Sequence, residues 1–185
     1  MLDLEKSKLE SGAEVPRIFT VELKQDDPAK CTSAKMAKFR LARPIRESQI
    51  PRNSVVLTPF SELIVIPGDR DSVLSGGLTV IDCSWERASN VSTLKKSRGI
   101  PRKLPALLAG NPTNYAKLHK LSSLEACAAA LYITNFKEHA QRLLSLYKWG
   151  DTFLSLNRDP LEDYSRAESQ ADILNIQEMY FRGHV

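Results

Sequence analysis

Apolar and polar positions keep one rhythm up to about residue 103 and another after it. In the first part, apolar residues come in short runs rich in β-branched side chains, bounded by turn residues. The runs are Ile18-Phe19-Thr20-Val21, Ser54-Val55-Val56-Leu57, Leu63-Ile64-Val65-Ile66 and Leu78-Thr79-Val80-Ile81. Consecutive apolar positions over this length suit strands buried on both faces. They predict strands over residues 17–23, 54–57, 63–66 and 78–81, the last closing this half. Asp26-Asp27-Pro28, Pro67-Gly68 and Gly76-Gly77 punctuate the connections. Thr32 and Ser33 are hydroxyl N-caps for a helix through Met36 and Phe39 to about Leu41, and Pro44 stops it. Residues 1–15 are polar and read as a loose N-terminus.

After about residue 104 the spacing becomes helical. Ser122 and Glu125 have capping-box spacing: the hydroxyl reaches forward and the carboxylate reaches back. The helix they open runs over residues 126–134 with Leu124, Cys127, Ala128 and Leu131 on one face, and Asn135 is its C-cap. A second helix over residues 137–148 buries Ala140, Leu143, Leu144 and Tyr147 and ends at Gly150. Asp159-Pro160 opens a third, as N-cap and first helical residue. A final amphipathic helix spans residues 168–182, with Ile173, Ile176, Met179 and Tyr180 inward. The expected organisation is a mixed α/β part over residues 16–103 and a mainly helical part over residues 104–185, with a ligand site between them.

Composition narrows the classes. A hydrophobic fraction of 42% supports a packed core. The longest apolar run, residues 126–133, is eight residues long, far short of the roughly 20 of a spanning helix. The charged N-terminal stretch lacks a signal-like apolar core, so a cytoplasmic protein is expected. Cys31, Cys83 and Cys127 form no CxxC pair, and His119, His139 and His184 have no ligand spacing, so no metal is expected. There is no GxGxxG and no P-loop. The net charge of +4 is uneven: residues 1–103 hold 18 Lys/Arg against 13 Asp/Glu, and residues 104–185 hold 8 against 9. The excess sits in residues 30–52, with Lys35, Lys38, Arg43 and Arg46, and in residues 95–103, with Lys95, Lys96 and Arg98. Such clusters attract polyanions by counterion release; they also serve simply as solvated surface.

Several residues carry candidate chemistry. Asp82 follows the apolar run at residues 78–81, where open α/β folds bind ligands. It is either a proton acceptor there or a cap for the following turn. Trp85 either covers an apolar or cationic ligand group or packs in the core, the commoner fate of a single Trp. Thr32 and Ser123 mark two helix starts, whose N–H groups and dipoles suit a carboxylate or phosphate if the two converge. Residues 104–110 are apolar but broken by Pro105, and read either as a wall for a purine edge or as a buried connector.

Taken in order, Asp27-Pro28-Ala29-Lys30-Cys31-Thr32, Ile81-Asp82-Cys83-Ser84-Trp85, Arg102-Lys103-Leu104-Pro105-Ala106-Leu107, Asn111-Pro112-Thr113-Asn114-Tyr115 and Lys120-Leu121-Ser122-Ser123-Leu124-Glu125-Ala126, then Trp149-Gly150, resemble the Tsr3 family of small-subunit rRNA aminocarboxypropyltransferases. The short chain resembles an archaeal member. The resemblance covers about residues 16–165 and implies an α/β fold of the SPOUT kind, with a deep trefoil knot in the N-terminal part and a mainly helical C-terminal part. It implies S-adenosylmethionine as co-substrate. The 3-amino-3-carboxypropyl arm, rather than the methyl, passes to N3 of an N1-methylpseudouridine in a hairpin loop of small-subunit rRNA, and methylthioadenosine leaves. In that frame Trp85 covers the methyl, Thr32 and Ser123 hold the carboxylate, and the backbone at Ile81 binds the ribose. The backbone at Leu104 takes the adenine edge, His119 flanks the adenosine, and Asp82 is the candidate base. The partner is the rRNA hairpin or the small pre-ribosomal subunit, the protein acts as a monomer, and no membrane is involved. The family commonly ends its NPVNY loop with glycine; Ala116 stands there in this chain, which restricts the backbone. Two other readings share the basic clusters: a SPOUT-like RNA methyltransferase, and an rRNA-binding assembly factor without catalysis.

Overall fold

The computed structural model describes residues 15–22, 32–82 and 98–183; for Glu22 and Asp82 the backbone alone is described. Trp85, Lys95, Lys96 and His184 lie outside the described residues.

Five parallel strands form one sheet: β1 (Ile18–Glu22), β2 (Arg43–Pro44), β3 (Val55–Leu57), β4 (Leu78–Asp82) and β5 (Ile100–Arg102), in the order β2-β1-β4-β3-β5. β1 and β4 pair in full register, from Ile18 with Leu78 to Glu22 with Asp82, so their carboxyl ends finish level. The strands are apolar on consecutive positions because both faces are covered. Ile18, Leu78, Val80, Val55 and Leu57 face the main core, while Val21, Ile81, Val56 and Ile50 form a smaller cluster.

Three expectations for this half are corrected. The run at residues 63–66 is not a strand of the sheet. Only Ile64 bridges to Lys103, and the Gln170 side chain takes its neighbour's place, donating to Ile64 C=O at 2.6 Å and accepting from Ile64 N–H at 2.9 Å. The strand at residues 78–81 is central rather than last, because β5 joins beyond β3. Pro44 does end the stretch after helix α1 (Thr32–Lys38), but it also belongs to an edge strand. Pro44 and Pro101 lie on the two outermost strands, where a missing N–H costs no ladder bond. A helix unmarked in the sequence, α2 (Arg70–Gly76), fills the connection before β4. Its Arg70 donates to Thr134 C=O and Asn135 C=O at 2.9 and 2.8 Å and lies over the Phe136 ring at 4.1 Å, closing the end of the central helix.

That helix, α3 (Ser123–Ile133), starts at the expected cap, Ser122, and is buried on nearly every side. It packs on β4, α1 and the helix after it. Thr134 is its C-cap, and Asn135 takes the left-handed conformation one residue later. α4 (Lys137–Leu144) stops short of residue 148. Gly150 does not end it but opens α5 (Gly150–Leu156), since a side chain there would meet the Leu144 carbonyl. Tyr147, expected in the core, is half-buried against it and stacks on Trp149 at 4.7 Å. Pro160 is the third residue of α6 (Arg158–Tyr164), inside the first turn that tolerates it. In α7 (Gln170–Phe181), Ile173 is buried as expected, but Met179 and Tyr180 are exposed and Gln177 is inward. The Gln177 amide oxygen accepts the Ala106 N–H at 2.8 Å, a bond that outweighs the helical apolar pattern.

One main core joins both parts of the chain: Ile18, Leu78 and Val80 pack in the same cluster as Leu124, Leu131, Phe153 and Tyr164. No helix among the described residues is long and apolar enough to cross a membrane.

Candidate functional site: a strand edge, two helix starts and a tethered loop

β1 and β4 end level, α1 packs on β1 and α3 packs on β4. At the start of α3 the Thr32 hydroxyl accepts the Leu124 N–H at 3.2 Å, across 92 residues of chain. The first residues of α1 and α3 are therefore joined, with Ser123 one residue from the bond. Converging helix starts concentrate donors and partial positive charge in one place. Ile81 is the last residue but one of β4, opposite Val21 of β1, with its side chain buried among Val21, Ile50 and Val56.

The second wall comes from residues 103–110. Asp69 grips Arg102 with both carboxylate oxygens, from the guanidinium Nε at 3.1 and 3.0 Å, and so anchors the exit of β5. Beyond it the connector runs extended along the helices. Ala106 bonds Gln177 and the Tyr164 hydroxyl. Leu108 bonds the Asn157 amide in both directions at 2.8 Å. By contrast, the Leu104 N–H and C=O have no partner among the described residues. A half-buried apolar segment with unused backbone groups is a surface suited to a heterocycle edge.

The loop at residues 108–119 closes on itself: Leu108 bridges to Leu118, and His119 N–H donates to Leu107 C=O at 3.1 Å. Gly110 sits where a Cβ would meet the backbone of Phe153 at 2.6 Å, so the loop presses directly on α5. Ala116 takes φ 57°, the left-handed conformation that glycine adopts freely, so the departure from the family pattern leaves the loop closed at a cost in backbone strain. His119 carries φ 60°. Its imidazole is held below the ordinary value, first by loss of solvent and second by the Lys103 ammonium. Both effects favour the neutral ring.

Glu125 holds this loop to the helix start. Its side chain is fully buried and accepts from Gly110 N–H at 2.7 Å, Asn111 N–H at 2.9 Å and the Asn111 amide at 2.7 Å. It also accepts from the Ser122 N–H at 2.7 Å and hydroxyl at 2.8 Å. The sequence showed only the capping-box half of this arrangement. Asn111, which also folds its loop by accepting Asn114 N–H at 3.0 Å, was legible as a turn residue but not as a partner of Glu125.

Thr32 is thus joined to the start of α3 beside Ser123, and His119 is bonded to Leu107 and feels the charge of Lys103, the residue before Leu104. Of the basic residues, Lys35 donates to Leu146 C=O at 2.8 Å and sits 3.6 Å above the Tyr147 ring, while Arg98 donates to Ser48 C=O at 2.8 Å. Lys38, Arg40, Arg43 and Arg46 are exposed around edge strand β2, without an ion pair among the described residues. An open cavity of about 610 Å³ lined by Leu108, Ser155, Arg158, Tyr180 and Phe181 lies on the helical side and includes none of Thr32, Leu104 or Ser123. No group of three or more metal-binding side chains occurs among the described residues.

Residues 55–181 match a family model described as "Ribosome biogenesis protein, C-terminal". A 16S rRNA aminocarboxypropyltransferase of Methanosarcina mazei is 46% identical over 158 residues, covering 84% of this chain and 90% of that protein. The chain belongs to the Tsr3 family. Another relative, the 16S rRNA aminocarboxypropyltransferase of Methanothermobacter thermautotrophicus, is 42% identical over 170 residues, 90% of this chain and 99% of that one. The structure described as the SAM-dependent rRNA:acp-transferase Tsr3 from Vulcanisaeta distributa superimposes with a TM-score of 0.78 at 38% identity, covering 91% of this chain and 100% of that one. Residues 16–49 also match a model described as "Possible Fer4-like domain in RNase L inhibitor, RLI". That stretch of the Tsr3-family chain contains one cysteine, Cys31, where an iron–sulfur cluster takes four ligands, so its donor set does not fit a cluster.

Proposed function

We propose that this protein transfers the 3-amino-3-carboxypropyl group of S-adenosylmethionine to N3 of an N1-methylpseudouridine in a hairpin loop of small-subunit rRNA, releasing methylthioadenosine. As a Tsr3-family enzyme it is a transferase with S-adenosylmethionine as co-substrate. The single observation that carries the reading of the site is the Leu124 N–H bond to the Thr32 hydroxyl, which joins two helix starts at one end of the site.

The chemistry is a question of orientation. A sulfonium has three carbons open to attack, and the one presented in line to the nucleophile reacts. Thr32 and Ser123 grip the carboxylate at one end. Leu104 and the Ile81 backbone grip adenine and ribose at the other, and Trp85 covers the methyl. Support for Leu104 comes from its unpartnered N–H and C=O. His119 flanks the adenosine as a neutral ring, which does not repel the sulfonium charge. Asp82 ends β4 level with Glu22 and is the candidate base for the N3 proton. With this chemistry goes a SPOUT-like, knotted reading of the core, supported by the non-sequential order β2-β1-β4-β3-β5 of its parallel strands.

The rRNA face is proposed at the β2 edge, with Lys38, Arg43 and Arg46; Lys35 and Arg98 are proposed to contribute as well, as are Lys95 and Lys96, which lie outside the described residues. The exposed, unpaired charges at the edge support this choice. We read the protein as a cytoplasmic monomer on the small subunit.

The test uses S-adenosylmethionine labelled separately on methyl and carboxyl, with an rRNA hairpin carrying N1-methylpseudouridine. Carboxyl label in the RNA with equimolar methylthioadenosine is expected. Methyl label in the RNA replaces the proposal with a methyltransferase, and tight RNA binding without transfer replaces it with an assembly factor. Trp85→Ala is expected to weaken binding of the co-substrate, checked by calorimetry; unchanged affinity removes Trp85 from the site.

A further inference from the structure

We propose that Glu125 is a positioning residue that sets the span between the two ends of the co-substrate site and thereby decides which carbon of the sulfonium is attacked. The proposal rests on the transferase reading above. The Glu125 carboxylate is 0% exposed and spends both oxygens on two separate chain segments. Oε1 accepts from the Gly110 and Asn111 N–H groups, and Oε2 from the Asn111 amide and from the Ser122 N–H and hydroxyl. The first segment continues through Leu118 to His119, whose N–H is tied to Leu107 beside Leu104. The second opens α3, whose Leu124 N–H is tied to Thr32. One carboxylate therefore locks the adenosine end to the carboxylate end. Lys120 C=O adds a further tie, accepting the Asn111 amide at 3.2 Å.

A capping box asks of the carboxylate only that it accept the Ser122 N–H, while the Ser122 hydroxyl accepts the Glu125 N–H. The three from Gly110 and Asn111 are surplus to capping, and each comes from the loop that flanks the site. All five donors point at the carboxylate. A glutamine there sets its own N–H2 against some of them and forces the loop and the helix start apart. A displacement on the order of 1 Å lowers in-line reactivity about 100-fold, and it acts on the bond to the side-chain carbon and on that to the methyl in opposite senses.

The experiment compares wild type and Glu125→Gln with doubly labelled S-adenosylmethionine and the rRNA hairpin, at a temperature where circular dichroism shows both folded. Expected are a fall of about 10–100-fold in kcat for aminocarboxypropyl transfer, a raised ratio of methyl to carboxyl label in RNA, and an unchanged Kd for RNA alone. Wild-type kcat and label ratio in the folded variant overturn the proposal. If Glu125→Gln does not fold, Asn111→Ala and Ser122→Ala each remove one arm. A lowered kcat in both, with Ser122→Thr restoring it, supports the proposal, and wild-type kcat in both overturns it. Absence of carboxyl transfer by wild type itself overturns the transferase reading instead.

Discussion

The starts of α3 and α7 carry the same local signal and differ in nearly everything else. Ser122 with Glu125 and Ser169 with Asp172 both form complete capping boxes, hydroxyl to N–H and carboxylate back to N–H. Asp172 accepts from Glu168 N–H, Ser169 N–H and the Ser169 hydroxyl, all within its own turn at the surface. Glu125 makes the equivalent bonds to Ser122 and adds three from a loop 14 and 15 residues away, in a site closed to solvent. A motif that reads as helix punctuation in both places is only that in α7; in α3 it also ties a distant loop to the helix start. Burial makes the difference, since an unmet donor at the surface turns to water and one in the interior cannot.

The comparison breaks most directly at the acids. Glu125→Ala is expected to cost at least about 3 kcal/mol in denaturant unfolding, because it strands several buried donors at once. Asp172→Ala is expected to cost clearly less, and equal losses would erase the distinction between the two caps. The serines sharpen it. Ser169→Ala removes an ordinary cap worth about 1 kcal/mol, whereas Ser122→Ala is expected to lose more, since its hydroxyl also donates to the buried carboxylate. The shift of unfolding midpoint in the two single variants measures this.

Next in size is the loop that Glu125 holds. Ala116 sits at φ 57°, where a Cβ costs about 1–2 kcal/mol. Ala116→Gly removes that strain and adds chain entropy to the unfolded state, so a net gain of about 0.5–1 kcal/mol is expected in thermal unfolding. A loss there would mean that the loop closes without strain.

The smallest effect is one of pH. The Asp172 carboxyl is held below its ordinary value, first by the Ser169 hydroxyl and then by the Glu168 N–H. The folded state thus binds this proton more weakly than the unfolded chain. Its contribution is complete above the ordinary carboxylate value and fades as pH falls through the lowered one. The stability gap between wild type and Asp172→Asn is expected to narrow accordingly on acidification; a gap constant with pH would discount the carboxylate.

Much of this was legible beforehand where the signal is local. Ser122 caps α3 where its spacing says, and β1, β3 and β4 form on their β-branched runs. Prediction failed where a distant side chain replaced a local partner. Gln170 took the place of a strand beside Ile64, and Gln177 turned a polar position of α7 inward to serve Ala106. Tyr147 lies at the margin of the core, stacked on Trp149 beneath Lys35, rather than fully inside it. Of residues 104–110, Ala106 and Leu108 follow the connector reading, tied to helices by Gln177 and Asn157, while Leu104 has no such tie among the described residues.

Legible from the chain alone are the Ser122 cap of α3, the runs that become β1, β3 and β4, the basic bias of the first part and, through the order of its motifs, the family. Those properties depend on neighbours a few residues away or on simple sums of charge. Only the tertiary structure decided that Thr32 meets Leu124 across 92 residues, that β4 lies beside β1 rather than at an edge, and that Glu125 joins a loop to a helix start. Such contacts form between segments far apart in the chain, and their partners are selected by how the whole core closes around them.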